Sequence, residues 1–215
     1  LEAVGVDHVM VMDVHNVAAF GNAFRCSVDL LEAAPLLADK VVEQAGGHPV
    51  TIVSPDFGGA KRAQRVQELV AVRLGAPVEF AVLEKRRDNG EVSGDLIIGP
   101  VSGRHAVVVD DLISAGTTIL RAVQACRAAG ALSVSAFATH GVFAPGAERL
   151  LGPDGPDRLY VTDTLLPTRL TPPSGGATQL VVLPASGLFA EALRRIGAGE
   201  SVVALREMER RPPAR

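Results

Sequence analysis

VVVDDLISAGTTI, residues 107–119, is the stretch that decides how this chain folds and where its chemistry lies. A run of valines, typical of a buried strand, leads into Asp110 and Asp111, and a helical pattern, LRAVQACRAAG, follows the short loop at once. Backbone N–H groups at the start of such a helix form an anion site. The order of strand, acidic pair, loop and helix therefore predicts a ligand with both hydroxyl groups and a phosphate, namely a sugar phosphate.

The two ends of this motif are predicted to bind the two ends of that ligand. The phosphate-binding residues are predicted to be Ser114, Ala115, Gly116, Thr117 and Thr118. Their hydroxyl groups add donors, and the alanine and glycine leave the backbone open to close approach. Asp110 and Asp111 are predicted to bind sugar hydroxyls or a magnesium ion. An Asp-Asp pair alone is equally typical of a strand end that caps a helix, but the whole thirteen-residue pattern favours the binding site.

Composition limits the class of protein. The chain has 215 residues, of which 47% are hydrophobic, 21% charged and 4% aromatic, which is typical of an α/β domain with an aliphatic core. A net charge of −3 argues against a nucleic-acid partner. No apolar run reaches membrane-spanning length, and residues 1–10 do not resemble a signal peptide, so we expect a cytoplasmic protein. Cys26 and Cys126 are isolated, and we expect both to be reduced.

Seven short apolar runs alternate with four longer helical patterns, which predicts an α/β fold. Apolar strands separated by helices are typical of a mostly parallel sheet with helices on both faces, whose ligands bind at the carboxyl ends of the strands. The predicted strands are His8–Met12, Pro49–Ser54, Val78–Leu83, Ala106–Asp110, Ser133–Thr139, Arg158–Thr162 and Gln179–Leu183. The predicted helices are Leu31–Ala45, Gly59–Leu74, Thr117–Ala129 and Ala185–Ile196.

Three segments are predicted to lie outside regular structure. KRRDNGEVSG, residues 85–94, is polar and contains glycine, and PTRLTPPSGGA, residues 167–177, is rich in proline and glycine. We expect both to be mobile loops. Residues 206–215 are highly charged and contain two consecutive prolines, and we expect this tail to be frayed.

A second motif, SPDFGGAKR at residues 54–62, also follows a strand and opens a helix. Gly58 and Gly59 allow a tight turn close to a ligand. Lys61 and Arg62 place positive charge at a helix N-terminus, against the usual preference there, and this conflict disappears if an anion is bound. The motif therefore predicts a phosphate or diphosphate site, the alternative being an ordinary loop whose basic pair faces water.

Three further groups have a functional and a structural interpretation. Asp13 and His15 are two residues apart, so on an extended chain they face the same side and converge on a metal or a phosphate; a strand-end histidine also commonly makes structural hydrogen bonds. The cations at residues 85–87 either stabilise charge during phosphoryl transfer or are simply solvated. His140 ends a strand near the predicted site, or is a structural histidine.

Taken together, the motifs resemble the ribose-phosphate diphosphokinase family, also called phosphoribosyl pyrophosphate (PRPP) synthetases. The resemblance rests on MDVH, SPDFGGAKR, EKRR, VVVDDLISAGTT and ATHGVF, in that order, and on the late segment ASGLFAEALRRIGAGESVVAL. It implies a type I phosphoribosyltransferase-like fold. It also implies transfer of the diphosphoryl group of ATP to ribose 5-phosphate, with Mg²⁺ as cofactor, in a homo-oligomer.

The resemblance also implies roles for individual residues. Lys85 and Arg87 would stabilise the transition state. Asp13 and His15 would bind the metal, and His15 would also contact the ATP phosphates. Asp56 would bind ribose 5-phosphate together with the Asp-Asp loop. The remaining implied contacts to ATP or diphosphate are Gly58, Gly59, Lys61 and Arg62.

The start of the chain, LEAVGVDHVMVMDVH, resembles the end of the first of two similar domains in that family. The implied divisions are the end of an N-terminal domain at 1–30, a catalytic domain at 31–184, a returning C-terminal helix at 185–205 and a tail at 206–215. Two other functions stay open: a phosphoribosyltransferase that consumes PRPP, which shares the Asp-Asp loop, and a non-catalytic regulatory relative of the synthetase.

Overall fold

The computed structural model describes residues 1–88, 91–166, 170 and 177–207, with the backbone alone at 85–88, 91–94 and 206–207. The strands are β1 (His8–Met12), β2 (Ser27–Leu31), β3 (Val50–Ser54), β4 (Glu79–Asp88), β5 (Glu91–Ile98), β6 (His105–Ile113), β7 (Ser133–Gly141), β8 (Arg158–Thr162) and β9 (Gln179–Leu183). The helices are α1 (Val17–Ala23), α2 (Ala34–Ala45), α3 (Ala60–Leu74), α4 (Thr117–Ala128) and α5 (Ser186–Gly197). Short 3₁₀ turns cover Glu2–Val4, Ala147–Leu151 and Val203–Glu207.

Within the described residues, seven strands form one sheet in the order β5-β4-β3-β6-β7-β8-β9, and β1 and β2 form a separate parallel pair. Every pair in the large sheet is parallel except β4 with β5, which confirms the mostly parallel prediction. The chain builds outward from β3 in one direction and from β6 in the other. The carboxyl ends of these two adjacent strands therefore flank the crevice in which such sheets bind ligands.

Two hydrophobic cores cover the two faces of the sheet. Val107 and Val109 of β6 belong to the first core, with Leu37 of α2 and other residues of α2 and α3. Val108, which points to the opposite face, belongs to the second core, with Ile119 and other residues of α4. This alternation confirms the prediction of helices on both faces and explains why the strands are apolar throughout.

The first core contains an aromatic pair. Phe137 of β7 and Tyr160 of β8 stack with ring centroids 4.3 Å apart and an angle of 13° between their planes. Both rings are buried. Tyr160 is the single tyrosine of a chain without tryptophan, so this core is otherwise built largely from aliphatic side chains.

Three sequence predictions differ from the structure. Residues 85–94 were expected to form a loop, but the backbone on both sides of residues 89–90 lies in strands, because β4 and β5 pair as an antiparallel hairpin. Strand β6 continues three residues beyond Asp110, because Leu112 and Ile113 pair with the end of β7. Helix α1 and strand β2 were not predicted; α1 is only 7 residues long and none of its side chains is fully buried, so it leaves little periodic signal in the sequence.

The two ends of the described chain meet in the first core. Met12 and Leu31, which end β1 and β2, belong to the same cluster as Ala192 of α5 and Leu205. The predicted loop at 167–177 lies outside the described residues at 167–169 and 171–176, as does the tail from residue 208 onward. The domain boundaries stay predictions.

None of the helices in the described ranges is both long enough and apolar enough to cross a membrane.

Candidate active site

A cavity of about 200 Å³ lies in the crevice at the carboxyl ends of β3 and β6. It brings together most of the predicted site residues, although they come from three separate loops of the sequence. Its lining includes His15, Asp56, Asp110, Asp111, Ser114, Ala115, Gly116, Thr117 and Thr118. For Asp56 and the Asp-Asp loop the arrangement follows from the topology, since the adjacent parallel strands β3 and β6 deliver their following loops to the same edge of the sheet, whereas His15 follows β1 of the separate pair.

Asp111 is the residue that ties these loops together. His15 donates from Nδ1 to Asp111 Oδ2 at 2.7 Å, and Arg62 Nη2 lies 3.0 Å from the same oxygen. Asp111 is only 2% exposed. Burial alone would raise the pKa of Asp111, but the hydrogen bond from His15 and the charge of Arg62 outweigh it and hold that pKa below its usual value. Asp111 is therefore ionised, with its Oδ2 already engaged.

Asp110 has the opposite electrostatic environment. It is half-buried, and its Oδ1 accepts the backbone N–H of Asp111 at 2.9 Å. Burial and the neighbouring Asp111 carboxylate raise the pKa of Asp110 to about 7. A carboxyl group in this state gains from any ligand that donates hydrogen bonds to it or brings positive charge. Asp110 is thus the better placed of the two acids to bind sugar hydroxyls.

The predicted phosphate loop, residues 114–118, runs into the first turn of α4. Gly116 is the N-cap of α4, with a φ of +79°, and the first intrahelical bond runs from the Leu120 N–H to the Gly116 carbonyl at 2.9 Å. The N–H groups of the first helical turn have no partner within the helix and point out of its end. A Cβ at Gly116 would lie 2.6 Å from Leu150 Cδ1, so only glycine fits here.

The second predicted loop is held by Asp56. Asp56 Oδ1 accepts the N–H of Gly59 at 2.9 Å, and the Ser54 hydroxyl donates to the Asp56 carbonyl at 2.7 Å. Gly59 is the N-cap of α3. This turn shapes the start of α3, so that Arg62 in its first turn reaches across to the acidic loop.

A larger cavity of about 490 Å³ lies next to the first one, lined by residues of α1, β2, α2 and α3. Gly58, Lys61 and Arg62 line it together with Asp13 and apolar side chains such as Val14. Arg62 lines this cavity and also bonds to Asp111 in the smaller one. Arg62 therefore stands between the two cavities, whereas Gly58 and Lys61 line the larger one.

Asp13 and His15 bond to different partners, and the backbone between them is not extended, which corrects the argument from strand alternation. Asp13 has a φ of +40°, in the left-handed region, so the chain is not extended at this point. The Thr139 hydroxyl donates to Asp13 Oδ2 at 2.5 Å and the Ala33 N–H donates to the same oxygen at 3.2 Å. Burial raises the pKa of Asp13. Asp13 thus bonds to residues at other strand ends, while His15 bonds to Asp111. The metal-binding role of Asp13 and His15 stays a prediction.

His140 has a structural environment. Its Nε2 donates to the carbonyls of Met12 and Asp13 at 3.1 and 2.9 Å, and the Thr164 hydroxyl donates to its Nδ1 at 2.8 Å. These bonds join the end of β1 to the ends of β7 and β8, and so fix the segment that precedes His15. Sequence reasoning missed Thr164, the partner of His140, and Thr139, the partner of Asp13. Their positions at or just past strand ends are the signal that would have found them.

Lys85 and Arg87 lie in β4, and their side chains fall outside the described part of the structure. In the backbone register of the hairpin, Lys85 is opposite Asp95 and Arg87 is opposite Val92. Their predicted role in stabilising the transition state stays a prediction.

The comparisons with known proteins agree with this geometry. The family described as phosphoribosyl synthetase-associated domain matches residues 85–206, more than half of the chain. The chain belongs to the ribose-phosphate diphosphokinase (PRPP synthetase) family. A ribose-phosphate pyrophosphokinase of Pasteurella multocida (strain Pm70) is 36% identical over 206 residues, which cover 95% of this chain and 62% of that protein. One of Vibrio vulnificus (strain YJ016) is 37% identical with the same coverage.

The PRPP synthetase family also provides a similar solved structure. The crystal structure of phosphoribosylpyrophosphate synthetase from Mycobacterium smegmatis is 28% identical, with a TM-score of 0.75, and the match covers 92% of this chain and 61% of that one. The fold is therefore that of the PRPP synthetases and is type I phosphoribosyltransferase-like, as predicted. This chain spans about 62% of the length of the curated relatives it matches.

Proposed function

We propose that this chain carries the site of a ribose-phosphate diphosphokinase, which transfers the diphosphoryl group of ATP to C1 of ribose 5-phosphate. The observation that supports this most strongly is the cavity that unites the Asp110–Asp111 pair, the N-terminus of α4 and His15. One end of that cavity suits sugar hydroxyls and the other suits a phosphate. The proposal extends to the chain what its relatives' names say of them.

The reaction moves a diphosphoryl group in one step. The anomeric hydroxyl oxygen of ribose 5-phosphate attacks the β-phosphorus of ATP, forming a new O–P bond. The bond from that phosphorus to the oxygen bridging the α- and β-phosphates breaks, AMP leaves, and the hydroxyl proton passes to solvent. Such a transfer requires chiefly positioning of the two reactants and stabilisation of phosphoryl charge, rather than covalent chemistry by the protein.

We assign the ribose 5-phosphate to the smaller cavity. Its phosphate would accept hydrogen bonds from the loop at residues 114–118, and its ring hydroxyls would donate to Asp110. Asp111 would act mainly by fixing His15 and Arg62 around the sugar, because its Oδ2 already accepts from both. Asp56, which lines the same cavity, would complete the ribose contacts.

The triphosphate would bind between His15 and the start of α3. Because the Nδ1 of His15 is bonded to Asp111, its other ring nitrogen is the one available to a ligand, and the ring is 77% exposed. Gly58, Gly59, Lys61 and Arg62 would supply backbone donors and positive charge there. Lys85 and Arg87 would offset the charge that develops during transfer.

Magnesium fits this site as an ion that arrives with the nucleotide. The described residues contain no group of three or more His, Cys, Asp or Glu side chains that would hold a metal ion by themselves. Mg²⁺ is commonly held by one or two carboxylates together with substrate phosphates and water. The Asp110–Asp111 pair provides such carboxylates, and a nearby cation would favour the ionised form of Asp110, whose pKa is raised chiefly by burial. The bound ion would neutralise phosphate charge.

The test combines turnover with binding. AMP release would be measured with magnesium-ATP, with and without ribose 5-phosphate, and ribose 5-phosphate binding would be measured by calorimetry on the same chain. Asp110→Asn is expected to weaken that binding, whereas Asp154→Asn, on an exposed loop, serves as the matched control. AMP formed only with both substrates supports the proposal.

Two results would contradict it. Diphosphate release on addition of PRPP and a nucleobase, without AMP formation from ATP, would indicate a phosphoribosyltransferase. Unaltered ribose 5-phosphate binding in Asp110→Asn would remove that residue from the sugar site. The homo-oligomer and the cytoplasmic location stay predictions; sedimentation velocity on the chain would test the first.

A further inference from the structure

An ion pair joins the β4–β5 hairpin to the helix that follows the phosphate loop. Arg121 of α4 donates from Nε to Asp95 Oδ2 at 2.8 Å, and its Nη2 donates to Asp95 Oδ1. This two-pronged geometry matches the planar guanidinium to the carboxylate and fixes their relative orientation. The Asp95 side chain is 17% exposed and that of Arg121 is 32% exposed, so solvent screens the pair less than a fully exposed one.

The hairpin has limited other support on its outer side. Strand β5 is an edge of the sheet and pairs with β4 alone among the described strands. Leu96 and Ile98 are 41% and 46% exposed, whereas Ile97 packs against the second core. Asp95 and Ile97 are two residues apart and therefore share the face toward α4. The ion pair therefore fixes this face of β5 to α4 at Asp95, the residue paired with Lys85 of β4.

The two anchored residues occupy informative positions. Arg121 lies four residues after Thr117, the first residue of the helix whose N-terminus forms the predicted phosphate site. Asp95 is the residue directly opposite Lys85 in the backbone register, and Arg87 follows two residues further along the same strand. The ion pair thus links the backbone that carries the two proposed catalytic cations to the element that binds the sugar phosphate.

We propose that Asp95 and Arg121 are positioning residues for the transfer reaction. They hold the β4–β5 hairpin against α4, and so hold the backbone of Lys85 and Arg87 at a fixed distance from the bound ribose 5-phosphate. This inference rests on the function proposed above. Neither residue touches substrate in this scheme; each acts through the placement of the hairpin. Losing the tie should lower kcat by about 10- to 100-fold, the size expected when catalytic groups shift by about 1 Å.

The test compares Asp95→Asn, Arg121→Gln and the double variant. We expect kcat for AMP formation to fall in both single variants, while the KM for ribose 5-phosphate stays within about twofold, because the phosphate loop itself is unchanged. The kcat of the double variant should be no lower than that of the less active single variant, since the two changes remove the same interaction. Independent, multiplicative losses in the double variant would overturn a shared role.

Arg127→Gln is the matched control. Arg127 lies on the same helix and pairs with Asp157 at 3.0 Å and with the Gly155 carbonyl at 2.7 Å, away from the hairpin. Its loss should affect stability but leave kcat unchanged. A fall in kcat equal to that of Arg121→Gln would show a general effect of loosening α4, and would overturn the specific proposal.

Hydrogen exchange separates the tie from the function. Amide exchange in β4 and β5, measured without substrates, should become faster in Asp95→Asn and Arg121→Gln but not in Arg127→Gln. Unchanged exchange would contradict the claim that the ion pair holds the hairpin against α4, whatever the kinetic result. Faster exchange with unchanged kcat would overturn the positioning role. If the unaltered chain releases no AMP from ATP and ribose 5-phosphate, the proposed function fails and the positioning role falls with it, whereas the exchange data still test separately whether the Asp95–Arg121 ion pair holds the hairpin.

Discussion

Replacing Gly116 with alanine should destabilise the protein by an amount that the structure divides into two parts. The φ of +79° would cost a residue with a Cβ roughly 1–2 kcal/mol. The new methyl group would also lie 2.6 Å from Leu150 Cδ1 and 2.8 Å from its Cγ. Leu150 is fully buried and cannot turn into solvent, so relieving this overlap should cost roughly 1–3 kcal/mol more. A smaller entropy of the unfolded chain returns about 0.4–1 kcal/mol, which leaves a net loss of about 1–5 kcal/mol.

Two other glycines separate these contributions. Gly146 has a φ of +99° with nothing within 4 Å of a built Cβ. Gly146→Ala should therefore show only the backbone cost of roughly 1–2 kcal/mol, less the same entropy return, which leaves a net loss of about 0–1.6 kcal/mol. Gly21, in helix α1, has an ordinary φ and open space around it, so Gly21→Ala should raise the free energy of unfolding by up to about 1 kcal/mol.

Urea denaturation followed by far-ultraviolet circular dichroism measures all three variants. The expected order of unfolding free energies is Gly21→Ala above the unaltered chain, then Gly146→Ala, then Gly116→Ala. Equal losses at positions 116 and 146 would refute the contact with Leu150 as a cause. Gly116→Ala should also weaken ribose 5-phosphate binding, since the phosphate loop must move away from Leu150, and the other two variants should bind normally.

Three further predictions concern charge. Because burial raises the pKa of Asp110 from 3.8 to about 7, its ionisation opposes folding, and its contribution to stability is lost as pH rises from about 4 through 7. The urea midpoint of Asp110→Asn should depend less on pH than that of the unaltered chain and should be the higher of the two at pH 8. Parallel curves of midpoint against pH would refute this. Burial, with the charge of His48, lowers the pKa of His105 from 6.5, so stability should fall as pH drops below about 6.5. Thermal unfolding of His48→Gln should show a smaller fall in stability. An identical fall would exclude His48 as a cause of the lowered pKa. Lys85→Ala should lower AMP release by about 100-fold or more while calorimetry gives a nearly unchanged ribose 5-phosphate affinity; an unchanged rate would remove Lys85 from catalysis.

The fold was predictable where burial alone determines local structure. Strand β8 is short, apolar, largely buried and bounded by turn residues, and its predicted limits agree with the structure. Strand β5 was missed for a physical reason: its sequence, EVSGDLII, contains glycine and charges, and it becomes a strand because β4 offers an antiparallel edge. Pairing of this kind depends on a partner rather than on composition, so a single segment does not reveal it.

The candidate site was predictable as a set of loops but not as a set of contacts. Parallel topology brings Asp56 and the Asp-Asp loop to one cavity, as strand-end reasoning predicts, and His15 joins them from the separate β1–β2 pair through its bond to Asp111. The failure at Asp13 came from assuming an extended backbone where φ is +40°. Its partner, Thr139, is 126 residues away in sequence, and only the assembled sheet brings the two together.

The stacked rings of Phe137 and Tyr160 give the protein an internal spectroscopic probe. Because the chain has one tyrosine and no tryptophan, its tyrosine absorption and emission arise from a single ring in the sheet interior. Near-ultraviolet circular dichroism at the tyrosine band will therefore report whether β7 and β8 remain packed, separately from the helical signal in the far ultraviolet. Any variant described above can then be scored for an intact sheet without adding a label.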